Sequence, residues 1–273
     1  STQAFASLDI RCVVAFGDNF DSEIYNKYQL EIILIHQKKK GLWQARNRAI
    51  KKAKGKYLLF FDDDSIVKSN WVLEHLKCLE YFSADISAGV SKSKVGSPIP
   101  LHYDYFRWAD QLDTGNVLIK RKVFQKCGLF DTQFEGMRMG DGEFGLRAYL
   151  NGFKSINNPK AERIHLKVSS GGLRELGSWD GVRSTKLMQP IPIPSTLYFF
   201  RKYWGWKKTI LYLLQTIPLS LSPYHLKGSK IGMILSLSIL FFLFPFILLK
   251  IFWSWVISNK MLKKGPLIEN FYS

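Results

Sequence analysis

Three consecutive carboxylates, Asp62, Asp63 and Asp64, follow directly on the apolar run KYLLFF of Lys56 to Phe61. An Asp-x-Asp pair on the loop after a buried strand suits a hard divalent cation. Mg2+ and Mn2+ take oxygen ligands, keep several waters, and bind through one or two carboxylates together with substrate phosphates. Side by side the three charges repel, so the run is costly without a cation beside it. Acidic clusters after strands also cap helices, and the run alone is not specific. A further acid, Asp141, opens the helical stretch DGEFGLRAYLN. There its local reading is a plain N-terminal cap, and the helix dipole is expected to depress its basicity. Glu143 and Arg147 lie four residues apart on that stretch, a spacing suited to an ion pair that supports the site or touches an acceptor.

The elements that must position these groups alternate. Arg11 to Phe16 (RCVVAF) and Glu31 to His36 (EIILIH) are short β-branched apolar runs. Leu42, Ala45, Ala49 and Ala53 recur near helical spacing, with Gly55 placed for a left-handed cap. Strand Lys56 to Phe61, a helix from about Asn70 to Tyr81, strand Asn116 to Lys120, a helix closed by Gly152 and a short strand Ala161 to Leu166 complete the pattern. This reads as an α/β fold with a mostly parallel central sheet flanked by helices. Ligands of such sheets sit at the carboxyl ends of the strands, where the acidic run lies.

The ordered combination of motifs resembles the family 2 glycosyltransferases, which have the GT-A fold. Gly41, Ala45, Arg46 and Asn47, followed by Asp62-Asp63-Asp64, match that family's glycine–alanine–asparagine run and its D-x-D strand end. Asp113 to Phe134 (DTGNVLIKRKVFQKCGLFDTQF) is similar to the segment before the acceptor site, and Met139 to Lys154 to the E-D helix start. The resemblance covers about Asp18 to His165 and departs at three places: the family's first strand is missing before Ser1, Lys39 stands for Asn, and Gly140 for the Glu before Asp141. It implies an inverting transfer from a nucleotide-sugar donor, a UDP-sugar above all, with Mg2+ or Mn2+. Asp62 and Asp64 would hold the metal, His165 in RIHLK would be a further ligand unless it is structural, and Asp141 would be the general base. Asp18 would contact the nucleobase, while Arg46, Asn47, Asp62 and Asp63 would lie on the donor side. Glu143, Arg147 and Trp179 are acceptor-side candidates, Trp179 lying in the glycine-rich Ser169 to Arg183, either a flap or a linker. A nucleotidyltransferase would need a Gly/Arg-rich phosphate loop near the N-terminus, which the sequence lacks. A non-catalytic membrane-bound relative would tolerate loss of Asp64 or Asp141.

The formal net charge is +17, yet no Asp or Glu occurs between Asp180 and Glu269. The basic residues there alternate with Trp, Tyr, Phe and Leu and flank long apolar runs, which fits anionic lipid headgroups rather than nucleic acid. Leu197 to Leu219 reads as an interfacial amphipathic helix. Ile231 to Leu249 is uncharged and about long enough for a bilayer core, although Pro245 favours a kinked or re-entrant form. Trp253, Trp255, Lys260, Lys263 and Lys264 follow, as at an interface. Cys12, Cys78 and Cys127 form no CxxC pair and are expected to be reduced thiols. The chain opens on Ser1, so a preceding segment is expected. The expected organisation is a catalytic domain over 1–180, a basic aromatic juxtamembrane segment over 181–230, a transmembrane or re-entrant helix over 231–258 and a basic tail over 259–273. The catalytic domain would act on a glycan or lipid-linked acceptor from the cytoplasmic side of the membrane.

Overall fold

The computed structural model describes residues 11–16, 31–38, 41–62, 64–93, 101–166, 181–183, 186, 188–221 and 229–272. Asp18, Asp63 and Trp179 lie outside them. The chain divides into two compact units: one holds residues 1–132, 140–170 and 268–273, the other residues 133–139 and 171–267.

In the first unit, β1 (Arg11–Phe16) and β2 (Glu31–His36) pair in parallel. Helix α1 (Leu42–Lys52) follows, with Lys51 and Lys52 in the last turn, where the dipole favours cations. Its buried positions are Trp43, Asn47 and Ile50, a stripe rotated from the alanine spacing read in the sequence. The helix ends at an extended Ala53, so Gly55 is not its left-handed cap.

The main sheet has six strands: β3 (Tyr57–Phe61), β4 (Ser65–Val67), β5 (Ile86–Ser93), β6 (Arg107–Trp108), β7 (Asn116–Lys120) and β8 (Ser155–His165). Its order is β3-β7-β5-β8-β4, with β6 also on β8. Only β5 and β8 run parallel within it; every other pair is antiparallel. The sheet is therefore mixed, not mostly parallel. Short apolar strands buried on both faces look alike in sequence whichever way the neighbour runs. β8 is twice the expected length, because Asn157, Asn158 and Pro159 hide its first half. The register against β5 jumps from Gly89↔Asn158 to Val90↔Glu162, so Pro159, which has no N–H to offer, falls in the bulged stretch.

Helix α2 (Trp71–Tyr81) packs Cys78 and Leu79 against Ala84, Leu118 and Ile156. Helix α3 (Arg121–Cys127) and helix α4 (Gly140–Leu150) enclose an aromatic cluster in which Phe124 stacks on Phe144 at 4.7 Å and Phe130 meets both. Gly152, at φ 83°, closes α4 as expected.

The second unit is helical: α5 (Pro194–Leu221, broken at Gly205 where φ is 72°), α6 (Lys230–Phe242) and α7 (Phe244–Lys264). Val182, Ile191, Leu197, Leu213, Ile217 and Ile247 form its core. The run read as one apolar helix is two, bent by 70° at the break between α6 and α7. Among the described residues no single helix is long and apolar enough to cross a membrane, although the bent pair together is.

Candidate active site

Strand β3 delivers Asp62 to its carboxyl end, the turn before β7 delivers Asp113 and Thr114, and β8 carries Arg163 and His165. These groups meet with Arg46 from α1 in one charged network. Asp62 is gripped at both oxygens: Arg46 Nη2 donates to Oδ1 at 3.1 Å and Arg163 Nη1 to Oδ2 at 2.9 Å. Arg46 also bonds the hydroxyl of Thr114. Arg163, only 3% exposed, spends the rest of its fork on Ser65 Oγ at 3.0 Å, Ser91 Oγ at 2.6 Å and Asp113 Oδ2 at 2.8 Å. Burial pushes the Asp113 carboxyl up, but the Arg163 charge, the Ser91 hydroxyl and the Gly115 N–H outweigh it, so Asp113 is held below the ordinary carboxylate value. A methyl group at Gly115 would run into the Asp62 carboxylate and the Arg163 guanidinium.

This arrangement changes the reading of the acidic run. The positive charge beside Asp62 comes from two arginines, one on each oxygen, which leaves a second lone pair on each oxygen. Asp64 faces His165 instead, with Oδ2 to Nε2 at 2.9 Å. The sheet register sets this pair, since Ser65 lies opposite His165 and the Leu166 N–H bonds the Asp64 carbonyl at 2.9 Å. One carboxylate oxygen and one imidazole nitrogen suit Mn2+ or Mg2+ with phosphate and water completing the shell. Among the described residues no group of three or more His, Cys, Asp and Glu side chains gathers.

Asp141 sits in the first turn of α4, its Oδ1 accepting from the Gly142 N–H at 2.9 Å. Burial first, and the Asp113 charge second, raise its pKa to about 6, against the opposing pull of the Gly142 N–H and Arg46. The depression expected from the helix dipole is thus reversed by desolvation. The glycines around it let α4 come close: a Cβ at Gly140 would overlap the Trp43 indole, and one at Gly145 would lie 2.6 Å from the Asp110 carbonyl. No side chain, and so no glutamate, fits ahead of Asp141 while Trp43 is there. Met139 just before it is left-handed at φ 74°, a strained conformation for a side-chain-bearing residue.

Three other candidates serve the interior. Asn47, 3% exposed, exchanges two hydrogen bonds with the Phe130 backbone, both at 2.9 Å, and is not free to touch a donor. Glu143 is fully buried and pairs with Arg147 through two bonds of 3.0 Å. Arg147 then ties down the Cys127 and Leu129 carbonyls at 2.5 and 2.9 Å. Both anchor the α3–α4 corner and are not acceptor contacts. Sequence reasoning passed over Arg163 and Asp113. The available signal was period two: Arg163 and His165 share one face of β8.

The Glycosyl transferase family 2 model matches residues 11–140. Among solved structures, S. aureus TarS 1-349 in complex with UDP-GlcNAc superposes with a TM-score of 0.54 at 17% identity, covering 70% of this chain and 56% of that one. GalNAc-T7 with UDP, GalNAc and Mn2+ gives 0.51 at 16%, covering 72% of this chain and 43% of that one. The chain thus spans about half the length of these structures, and at such identities the likeness is one of fold. No curated protein matches the chain.

Proposed function

We propose that the chain, whose residues 11–140 match the Glycosyl transferase family 2 model and whose fold is like that of solved glycosyltransferases, moves a sugar, with inversion, from a nucleoside-diphosphate sugar to an acceptor hydroxyl. The observation that carries the reading is the placement of a basic carboxylate, Asp141, in the same unit as the Asp64–His165 pair and the arginine-bound Asp62. Asp141, with its pKa near 6, is largely ionised at neutral pH and takes the acceptor proton. The freed oxygen bonds to the anomeric carbon from the face opposite the diphosphate, and the bond to the diphosphate oxygen breaks. Arg46 stands where its guanidinium can turn from Asp62 toward the donor phosphates, since planar donors suit phosphate oxygens. A divalent ion held by Asp64 and His165 would neutralise charge growing on the departing diphosphate.

The fold neighbours were solved with UDP-GlcNAc in one case and with UDP, GalNAc and Mn2+ in the other, which supports a UDP-sugar donor and a divalent cation here. The acceptor is a glycan or lipid-linked saccharide at a membrane, with the catalytic unit on the cytoplasmic side. Basic residues beside the apolar helices support that placement.

Titration calorimetry of the full chain in detergent tests this with UDP, GDP and CDP, each with and without Mn2+. Mn2+-dependent UDP binding that Asp64→Ala abolishes is the expected result. Nucleotide binding that ignores both Mn2+ and Asp64 would refute the metal role, and retention of donor configuration in the product would refute the Asp141 chemistry.

A further inference from the structure

Helices α6 and α7 of the second unit bury serines and a lysine while exposing large apolar side chains. On α7 the buried stripe is Ile247, Lys250, Ser254, Ser258 and Met261, at spacings of three and four. Its polar members are engaged within the unit: Ser254 Oγ donates to the Pro192 carbonyl at 2.5 Å, Arg201 Nη1 donates to Ser258 Oγ at 2.8 Å, and Lys250 lies 5.2 Å from the Phe246 ring. The outward face carries Leu248, Leu249, Phe252 and Trp253, which are 47, 67, 67 and 45% exposed. Helix α6 repeats the pattern, with Ser236 at 1% inside and Ile231, Phe241 and Phe242 at 76 to 81% outside. A water-soluble helix shows the reverse polarity. Lys250, the one charge between Ile231 and Ser258, points inward, so the outer face carries no charge over that stretch, and its exposed Ser238 spends its hydroxyl on the Ile234 carbonyl at 3.0 Å.

Length and composition together decide how such a face meets a bilayer: the 21 residues of α7 reach about 31 Å at ~1.5 Å each but include Lys250 and end in Lys260, Lys263 and Lys264. Helix α6 has 13 residues, about 20 Å at ~1.5 Å each, against a hydrocarbon core of ~30 Å. The chain then turns by 70°. Basic residues stand at both outer ends of the bent pair, Lys230 at one and Lys260, Lys263 and Lys264 at the other. Lys207 and Lys208, beside the exposed Trp206 on α5, add to them. With no acid between Asp180 and Glu269, a second copy would bring like charge against like charge, whereas an anionic leaflet supplies the opposite sign.

We infer that α6 and α7 form a wedge that enters one leaflet of an anionic membrane, bend inward, with both ends returning to the same surface. The inference rests on the membrane setting proposed above and specifies it: the partner is the anionic headgroup layer and the acyl chains of one leaflet. Membrane attachment is then one-sided, and the two ends of the pair stay with the catalytic unit's own compartment.

The double variant Lys230→Cys/Lys264→Cys of the full chain tests the topology. It is reconstituted into sealed vesicles of phosphatidylcholine with anionic phosphatidylglycerol, treated with a membrane-impermeant maleimide, and weighed intact by mass spectrometry against the unsubstituted chain. A one-leaflet wedge gives molecules with two added labels or none, whichever way the protein inserts. A span gives one label per molecule, which would overturn the wedge while leaving membrane association standing. Flotation supplies the second arm. Binding should fall at least tenfold with phosphatidylcholine alone, and likewise for Leu249→Asp and Phe252→Asp, with UDP binding unchanged as the control for folding. Equal flotation on neutral vesicles would overturn the anionic partner. No flotation at all would remove the membrane setting itself, and a dimer dissolved by Phe252→Asp would assign the face to a second copy.

Discussion

Replacing Asp141 by Asn should stabilise the protein as it destroys activity, and only above a defined pH. The carboxyl is raised from 3.8 to about 6 in the folded chain, so folding favours its protonated form. Below about pH 4 it is protonated in both states and costs nothing; above about pH 6 it is ionised in both, and the folded state carries the whole penalty. About two units at ~1.36 kcal/mol each gives a ceiling of roughly 3 kcal/mol, which solvent screening of the partly exposed side chain brings down. Asn is neutral throughout and its amide oxygen still accepts from the Gly142 N–H. The variant should therefore match the parent at pH 4 and exceed it by about 1–3 kcal/mol at pH 8. Urea unfolding of the nucleotide-free proteins at the two pH values measures the difference. Loss of the base should lower kcat by about 10²–10⁴. A stability difference that is the same at both pH values would refute the desolvation argument, whatever happens to the rate.

Because only ionised Asp141 accepts the proton, kcat/KM should rise with pH through about 6 and then level. Asp113→Asn removes the neighbouring charge and should move that limb to lower pH in the same assay. Arg163→Ala leaves Asp62 and Asp113 without their shared guanidinium. It should cost about 2–4 kcal/mol, below the cost for a fully buried pair because the partners are part-exposed, with thermal unfolding as the readout. Gly115→Ala should force Asp62 and Arg163 apart and weaken UDP binding at least tenfold by calorimetry, with a smaller loss of stability than Arg163→Ala.

What was legible in the sequence was the chemistry attached to element ends. The acidic run after KYLLFF and Asp141 at a helix start stood out by type and position, whereas Arg46 was named only through the family resemblance. Strand direction was not legible, since a run such as NVLIK, buried on nearly every residue, carries no mark of which way its neighbour runs. Nor does sequence distinguish a polar side chain that faces substrate from one that braces the interior. Asn47, Glu143 and Arg147 have the types expected of a site, and only their partners show that they hold backbone carbonyls and each other. Asp141 illustrates the same gap in energy: its place on a helix was visible, while the desolvation that outweighs the dipole belongs to the packed state. In the helical unit, the uniform apolar run from Ile231 to Leu249 has no periodicity from which the inward serine could be read, whereas Pro245 marked the bend.

The contact between Gly140 and the Trp43 indole makes two distant positions a single evolutionary character. A chain that gained glutamate ahead of Asp141 would need a smaller residue at 43 first, because the reverse order passes through a chain with two groups in one space. A library randomised at both positions and selected for folding should return large residues at 43 only with glycine at 140, and acids at 140 only with small residues at 43.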